Sequence, residues 1–309
     1  MHGQRALVTG GAGFIGSNLA NHLAGTNEVI AIDDCSLGTP ENLDSGVEFH
    51  EASVLDEGLP TDVDVVFHFA ALSSYGMHET DPVHGARINI EGFVNVIEQA
   101  RRSGCETVVY ASTSSVYGSR TEPAPESMDV RANTSYEASK LARERYAESF
   151  SNQYGMAIAG MRLFSVYQGY YGNEAHKDGY ANVIAQFADD IAGGSSPVVY
   201  GDGSQTRDFI HIEDVVHGLE LVAEHELSGV YNLGTRKSHD FNTVIDRINE
   251  ELGTAIEPEY VENPIPKSAY IHDTCSESAK IRKETGWRQR IGFQEGVRRV
   301  CRPYCPERY

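Results

Sequence analysis

The chain has 309 residues, 40% of them apolar, and no run of about 18 uncharged apolar residues, which excludes a transmembrane helix. Forty-five Asp and Glu against 25 Lys and Arg give a formal net charge of −20, with only six lysines. Such a surface reads as adapted to high salt and is unsuited to nucleic acid, where binding rests on neutralising phosphates.

The first apolar run starts almost at Met1, which leaves no room for a leader and predicts a cytoplasmic protein. Strands are predicted at 4–9, 28–33, 46–50, 63–69, 106–112, 156–165 and 229–233, with helices near 14–24, 82–103, 136–154 and 213–225. Alternating strand and helix implies an α/β fold, a doubly wound parallel sheet covered on both faces. Beyond 167 the pattern is more broken and richer in Gly, Pro and Asn. The segment 198–216 reads as a turn, a strand and an acidic helix start, and Pro258, Pro264 and Pro266 forbid a long helix over 255–270. The expected division is a nucleotide-binding domain over 1–167, with 209–235 returning to it. A smaller α/β substrate-binding domain would then come mainly from 168–208 and 236–309.

The five cysteines, 35, 105, 275, 301 and 305, form no C-x-x-C pair and read as reduced structural thiols, the last two in a terminal helix. His211-Ile212-Glu213 lacks further ligands at metal spacing, so no metal site is expected.

"ALVTGGAGFIGSNLA" (6–20) supplies strand, glycine turn and helix in the order that a dinucleotide needs. Gly10, Gly13 and Gly16 let the backbone turn sharply and approach a pyrophosphate at the helix N-terminus. Asp33 ends the next strand, where it would accept hydrogen bonds from the adenosine ribose. Asp34 beside it would repel a 2′-phosphate, which favours NAD over NADP.

Two later stretches concern the reacting groups. "STSSVYG" (112–118) places hydroxyls at the C-terminal end of a buried strand. "SYEASK" (135–140) places Tyr136 and Lys140 one helical turn apart on one face. With these, "HFAAL" (68–72), Asn89, "RLFSVYQG" (162–169), "YGDGSQTRDFI" (200–210) and "VYNLG" (230–234), the chain resembles the extended short-chain dehydrogenases/reductases of the nucleotide-sugar epimerase/dehydratase group.

That resemblance covers nearly the whole chain and implies a catalytic trio of Thr113, Tyr136 and Lys140. For the coenzyme, NAD, it implies contacts from Gly10, Gly13, Phe14, Ile15, Gly16, Asp33, Asp34, Ser36, Gly38, Ser53, Val54, Phe69, Ala70, Ala71, Ser73, Asn89, Tyr136, Lys140 and Phe164. For a nucleotide-sugar substrate it implies Ser73, Ser74, Thr113, Tyr136, Ser165, Asn182, Arg207 and Lys267. It also implies a homodimer, formed through the helices near 82–103 and 136–154. Lys140 and the nicotinamide charge are expected to favour the Tyr136 phenolate, a shift of ~3 pKa units worth ~4 kcal/mol.

Dehydratases of the group carry an acid and a base directly after the threonine; here those places are Ser114 and Ser115, which cannot replace carboxylates. Epimerisation is what remains, most commonly at C4 of a UDP-hexose such as UDP-glucose or UDP-galactose. Action on a uronate or other sugar nucleotide, net oxidation, and a non-catalytic NAD sensor are the alternatives. The match loosens where Ser165 replaces a usual Asn, where Lys267 stands for a usual Arg, and where Thr274 or Cys275 takes the place of a bulky gate. Arg207 has a second reading as an ion pair with Asp208, Asn182 as a plain helix cap, and Ser73 and Ser74 as turn residues.

Overall fold

The computed structural model describes residues 1–308. Twelve strands run β1 (Arg5–Thr9), β2 (Glu28–Asp33), β3 (Val47–Glu51), β4 (Val65–His68), β5 (Thr107–Thr113), β6 (Ala157–Leu163), β7 (Ser165–Tyr167), β8 (Val198–Tyr200), β9 (Thr206–His211), β10 (Gly229–Leu233), β11 (Ser238–Asp240) and β12 (Glu259–Val261). The main helices are α1 (Phe14–Ala24), α2 (Tyr75–Thr80), α3 (Pro82–Ala86), α4 (Gly92–Ser103), α5 (Ser135–Tyr154), α6 (Val183–Ala192), α7 (Ile212–Glu224), α8 (Phe241–Leu252), α9 (Ala279–Thr285) and α10 (Phe293–Cys301).

Seven strands form one parallel sheet in the order β10-β6-β5-β4-β1-β2-β3. The near-continuous apolar runs of β1, β4 and β5 are buried because helices cover both faces. On one face Leu19, Leu23, Val215, Leu219 and Trp287 pack against Val8 and Phe67. On the other, Phe93, Val96, Ile97 and Ala147 pack against Val66 and Tyr110. From β1 the chain builds outward to β3 and then returns beside β1 as β4, so the loops after β1 and β4 diverge and open a crevice at their carboxyl ends.

The expected single strand 156–165 is two. Phe164, whose N–H is bonded to the Leu233 carbonyl, lies between β6 in the large sheet and β7 in a small sheet of order β11-β9-β7. The expected helix 82–103 is also divided: Asp81 caps α3, and a π turn over Arg87–Glu91 precedes α4. That wide turn carries the buried Asn89, whose side chain bonds the Leu72 N–H and C=O at 2.9 and 3.0 Å.

A second core of Phe187, Phe209, Phe241, Val244, Ile248, Val297 and Val300 gathers under the small sheet. Two expected boundaries move. The return to the large sheet does not begin at 209, because β9 spans 206–211 and pairs wholly with β7 and β11. Residues 279–287 do not belong with the second core, since Ile281 and Trp287 pack into the first. The terminal helix ends at Cys301, ahead of Pro303, and Cys305 lies beyond it.

A buried polar chain locks the carboxyl end of β5. Glu144 of α5 accepts from Ser112 at 2.6 Å and pairs with Arg162 of β6 at 2.7 Å. Arg162 also donates to the Tyr117 hydroxyl at 2.9 Å, and Tyr117 donates to Asn232 of β10 at 2.7 Å. Removing the carboxylate strands a buried guanidinium. Glu144→Ala is expected to cost about 3–5 kcal/mol in urea unfolding, and Glu144→Gln less.

Candidate active site

The crevice between the β1 and β4 loops brings most of the sequence-marked residues together. Gly10, Gly13, Phe14, Ile15 and Gly16 line it from the first loop, Asp33, Asp34, Ser36 and Gly38 from the second, and Phe69, Ala70, Ala71 and Ser73 from the fourth. Val54, Thr113, Tyr136, Lys140 and Phe164 complete that set. Among the described residues no group of three or more His, Cys, Asp or Glu is placed to hold a metal ion, and no helix is long and apolar enough to cross a membrane.

The glycines divide by what surrounds them. A Cβ on Gly10, which has φ 66°, would stand 2.5 Å from the Ala70 nitrogen, and one on Gly16 would collide with the Gly10 carbonyl oxygen. Packing alone requires both. Gly13 is different: its φ of −78° suits any residue, and a Cβ there would meet only the Gly10 carbonyl, at 3.2 Å. Its missing side chain leaves a cradle at the start of α1, which is the shape a pyrophosphate needs. Asp33 accepts from the N–H groups of Ala12 (3.1 Å) and Cys35 (2.9 Å), which shapes the loop around its carboxylate. Burial pushes its pKa up, and those backbone N–H groups pull it back.

At the other end, Thr113 ends β5, and its Oγ1 accepts from the Ser115 N–H at 3.1 Å. Tyr136 and Lys140 rise from the first turns of α5, which Thr134 caps by accepting from the Glu137 N–H. Lys140 is buried, donates to the Ala111 carbonyl at 3.2 Å and stands 5.9 Å from the centre of the Tyr136 ring. Three strand spacings separate β5 from β2, about 14 Å, so the hydroxyl end and the acidic end lie an extended dinucleotide apart.

The expected acidity of Tyr136 rests on Lys140 and the nicotinamide charge together; in the protein alone the phenol pKa is raised. Burial raises the phenol pKa, and the neighbouring Thr113 hydroxyl and the charge of Arg143 draw it part of the way down. Burial, and then Arg143, holds Lys140 well below its ordinary value. Both shifts have the same main cause: a dry pocket penalises the ionised form.

Four assignments change. Ser53, Ser74 and Asn89 do not face the cleft. Ser53 and Ser74 accept from the Leu55 and Met77 N–H groups, while Asn89 holds Leu72, His78 and Ser139. Asn89 therefore positions the loop that carries Ser73. Lys267 is exposed and lines no cavity.

Ser165, Asn182 and Arg207 meet in an adjoining cavity with Tyr200, Phe241 and Tyr270. Asn182 caps α6, accepting from the Ile184 N–H. Arg207 makes no pair with Asp208, whose carboxylate accepts from Thr235, Arg236 and Ser276. Its guanidinium lies between the rings of Phe241 (5.5 Å) and Tyr270 (5.8 Å) and donates to the Thr206 and His272 carbonyls. Neither Thr274 nor Cys275 lines either cavity; Thr274 Oγ1 accepts from the Asp208 N–H. Sequence reasoning missed Met77, His176, Lys177 and Tyr180, which also line the main cleft. The scarcity of lysine was the one available signal for Lys177.

The NAD dependent epimerase/dehydratase family model matches residues 6–234. The chain belongs to that family. A UDP-glucose 4-epimerase of Mycolicibacterium smegmatis is 32% identical over 307 residues, covering 95% of this chain and 96% of its own. Among solved structures, the UDP-N-acetylglucosamine 4-epimerase of Methanobrevibacter ruminantium, in complex with UDP-N-acetylmuramic acid, superposes with TM-score 0.91 at 28% identity, over 99% of this chain and all of that one. The Thermus thermophilus UDP-glucose 4-epimerase, in complex with NAD, does so with TM-score 0.85 at 32% identity, over 97% and 98%. The coenzyme of this family member is NAD, and the Gly13 cradle, Asp33 and the Tyr136–Lys140 wall fit it.

The glycine analysis separates folding from binding. Gly13→Ala is expected to leave unfolding free energy within about 1 kcal/mol of the parent. It should weaken NAD at least roughly tenfold by calorimetric titration. Gly16→Ala should lower stability itself by about 1–3 kcal/mol.

Proposed function

We propose that the protein interconverts the C4 epimers of a UDP-hexose, UDP-glucose and UDP-galactose being the first pair to test. One observation carries this reading. Thr113, Tyr136 and Lys140 share one end of the cleft, and among the described residues the only carboxylates lining that cleft, Asp33 and Asp34, lie at the other. A site built this way can move a proton on and off a carbinol oxygen but has no acid–base pair for expelling water from the neighbouring carbons.

When bound, NAD would supply the hydride acceptor, the donor for the return step and a positive charge in the same cleft. Tyr136 Oη takes the proton of the sugar hydroxyl and later gives it back. Thr113 Oγ1, at the same end of the cleft as Tyr136, orients that hydroxyl and relays its proton. Lys140, anchored on the Ala111 carbonyl, keeps its ammonium nitrogen beside the phenol ring. Burial opposes ionisation of the phenol in the protein alone, and the positive charge of bound NAD would favour the phenolate. Arg207, Asn182 and Ser165, in the adjoining cavity, serve the nucleotide part of the substrate. The likeness to a UDP-N-acetylglucosamine 4-epimerase supports a second reading, in which the same chemistry runs on an N-acetylated sugar.

The test is turnover of UDP-glucose, UDP-N-acetylglucosamine and UDP-glucuronate without added NAD. Formation of UDP-galactose is expected. Conversion of the N-acetylated sugar alone would move the substrate assignment, and stoichiometric NADH release would replace epimerisation with net oxidation. Tyr136→Phe is expected to lower kcat roughly 100- to 10,000-fold while NAD binding persists.

A further inference from the structure

The cleft has a cation that the chemistry above does not use. Lys177 belongs to an insertion between β7 and α6, and its ammonium stands 5.0 Å from the centre of the Phe14 ring, at the first turn of α1 beside Gly13. Its nearest carboxylate, Glu174, is fully buried and already occupied. One Glu174 oxygen accepts from the Gln168 and Gly169 N–H groups, each at 2.9 Å, and the other from the Asn182 N–H at 2.6 Å. Lys177 makes only a loose ion pair with it, at 3.8 Å and beyond hydrogen-bond length, with its side chain 23% exposed.

The whole insertion is tied down beside the glycine loop. Gln168 and Asn18 of α1 exchange amide hydrogen bonds at 2.9 and 3.0 Å. Asn173 donates to Ser17 of α1 and to the Asn42 carbonyl. His176 bonds Asn42, which in turn donates to the Ala12 carbonyl inside the glycine loop. Thus Glu174 folds the segment, three side chains fasten it across the mouth of the cleft, and Lys177 is left facing inward. A dianionic diphosphate in a cleft that also holds Asp33 and Asp34, on a chain of charge −20, calls for such a cation.

We infer that residues 168–182 form a strap closed over the diphosphate of the coenzyme and that the Lys177 ammonium is its counter-ion. The inference rests on the NAD reading of the cleft. The strap makes the coenzyme resident: release needs the Asn173 and His176 bonds to open.

The experiment follows NAD retained through gel filtration and the affinities of coenzyme-stripped protein for NAD, ADP-ribose, adenosine and UDP. Lys177→Met is expected to weaken NAD and ADP-ribose roughly ten- to a hundredfold, the loss of one charge-assisted contact, and to leave adenosine and UDP unchanged. Lys177→Arg should stay within about threefold of the parent. Asn173→Ala, which keeps the charge but loosens the strap, should speed NAD release in a stopped-flow chase. Unchanged NAD affinity in Lys177→Met overturns the proposal, as does weakened UDP with intact NAD. An unaltered release rate in Asn173→Ala removes the strap. Failure of the parent itself to bind NAD would instead sink the coenzyme reading on which all of this stands.

Discussion

The contact between Gly10 and the backbone of Ala70 governs the architecture of the site. The β1 and β4 loops must leave the sheet side by side yet in opposite senses, and they pass so closely that no side chain fits between them. That approach fixes the width of the crevice. It sets the start of α1 at the crevice floor, Asp33 on one flank and the β5 end on the other. Every later feature is arranged relative to this one tight crossing.

The reacting end depends on a second constraint, the burial of charge. Glu144 and Arg162 sit beneath β5 as a satisfied pair, while Lys140 and Arg143 are buried without a carboxylate. Arg143 is held by the carbonyls of Asn89 and Ala70. The first arrangement gives rigidity at modest net cost; the second gives a pocket hostile to ionisation.

Much of this was legible in the sequence because it rests on local rules. The seven strands of the large sheet announced themselves as apolar runs, the glycine spacing named the nucleotide loop, and Tyr136 and Lys140 showed their common face through helical periodicity. What stayed hidden depends on tertiary contact. A π turn at 87–91 cannot be read from periodicity, and Asn89 looks alike whether it touches a ligand or a loop. The break at Phe164 follows from two sheets competing for one apolar run. The rise of the phenol pKa in the protein alone comes from burial, which the spacing of Tyr136 and Lys140 does not record. Lys177 lies in a segment whose path is set by one buried carboxylate, a feature no short motif records.

The alternation along β9 carries a mechanical consequence. Phe209 points into the second core and Ile210 into the first, so adjacent residues of a single strand are teeth in two different gears. Sliding one lobe past the other would have to pull both side chains from their sockets at once. The lobes therefore behave as a fused frame, and breathing of the enzyme is left to the segments along its rim.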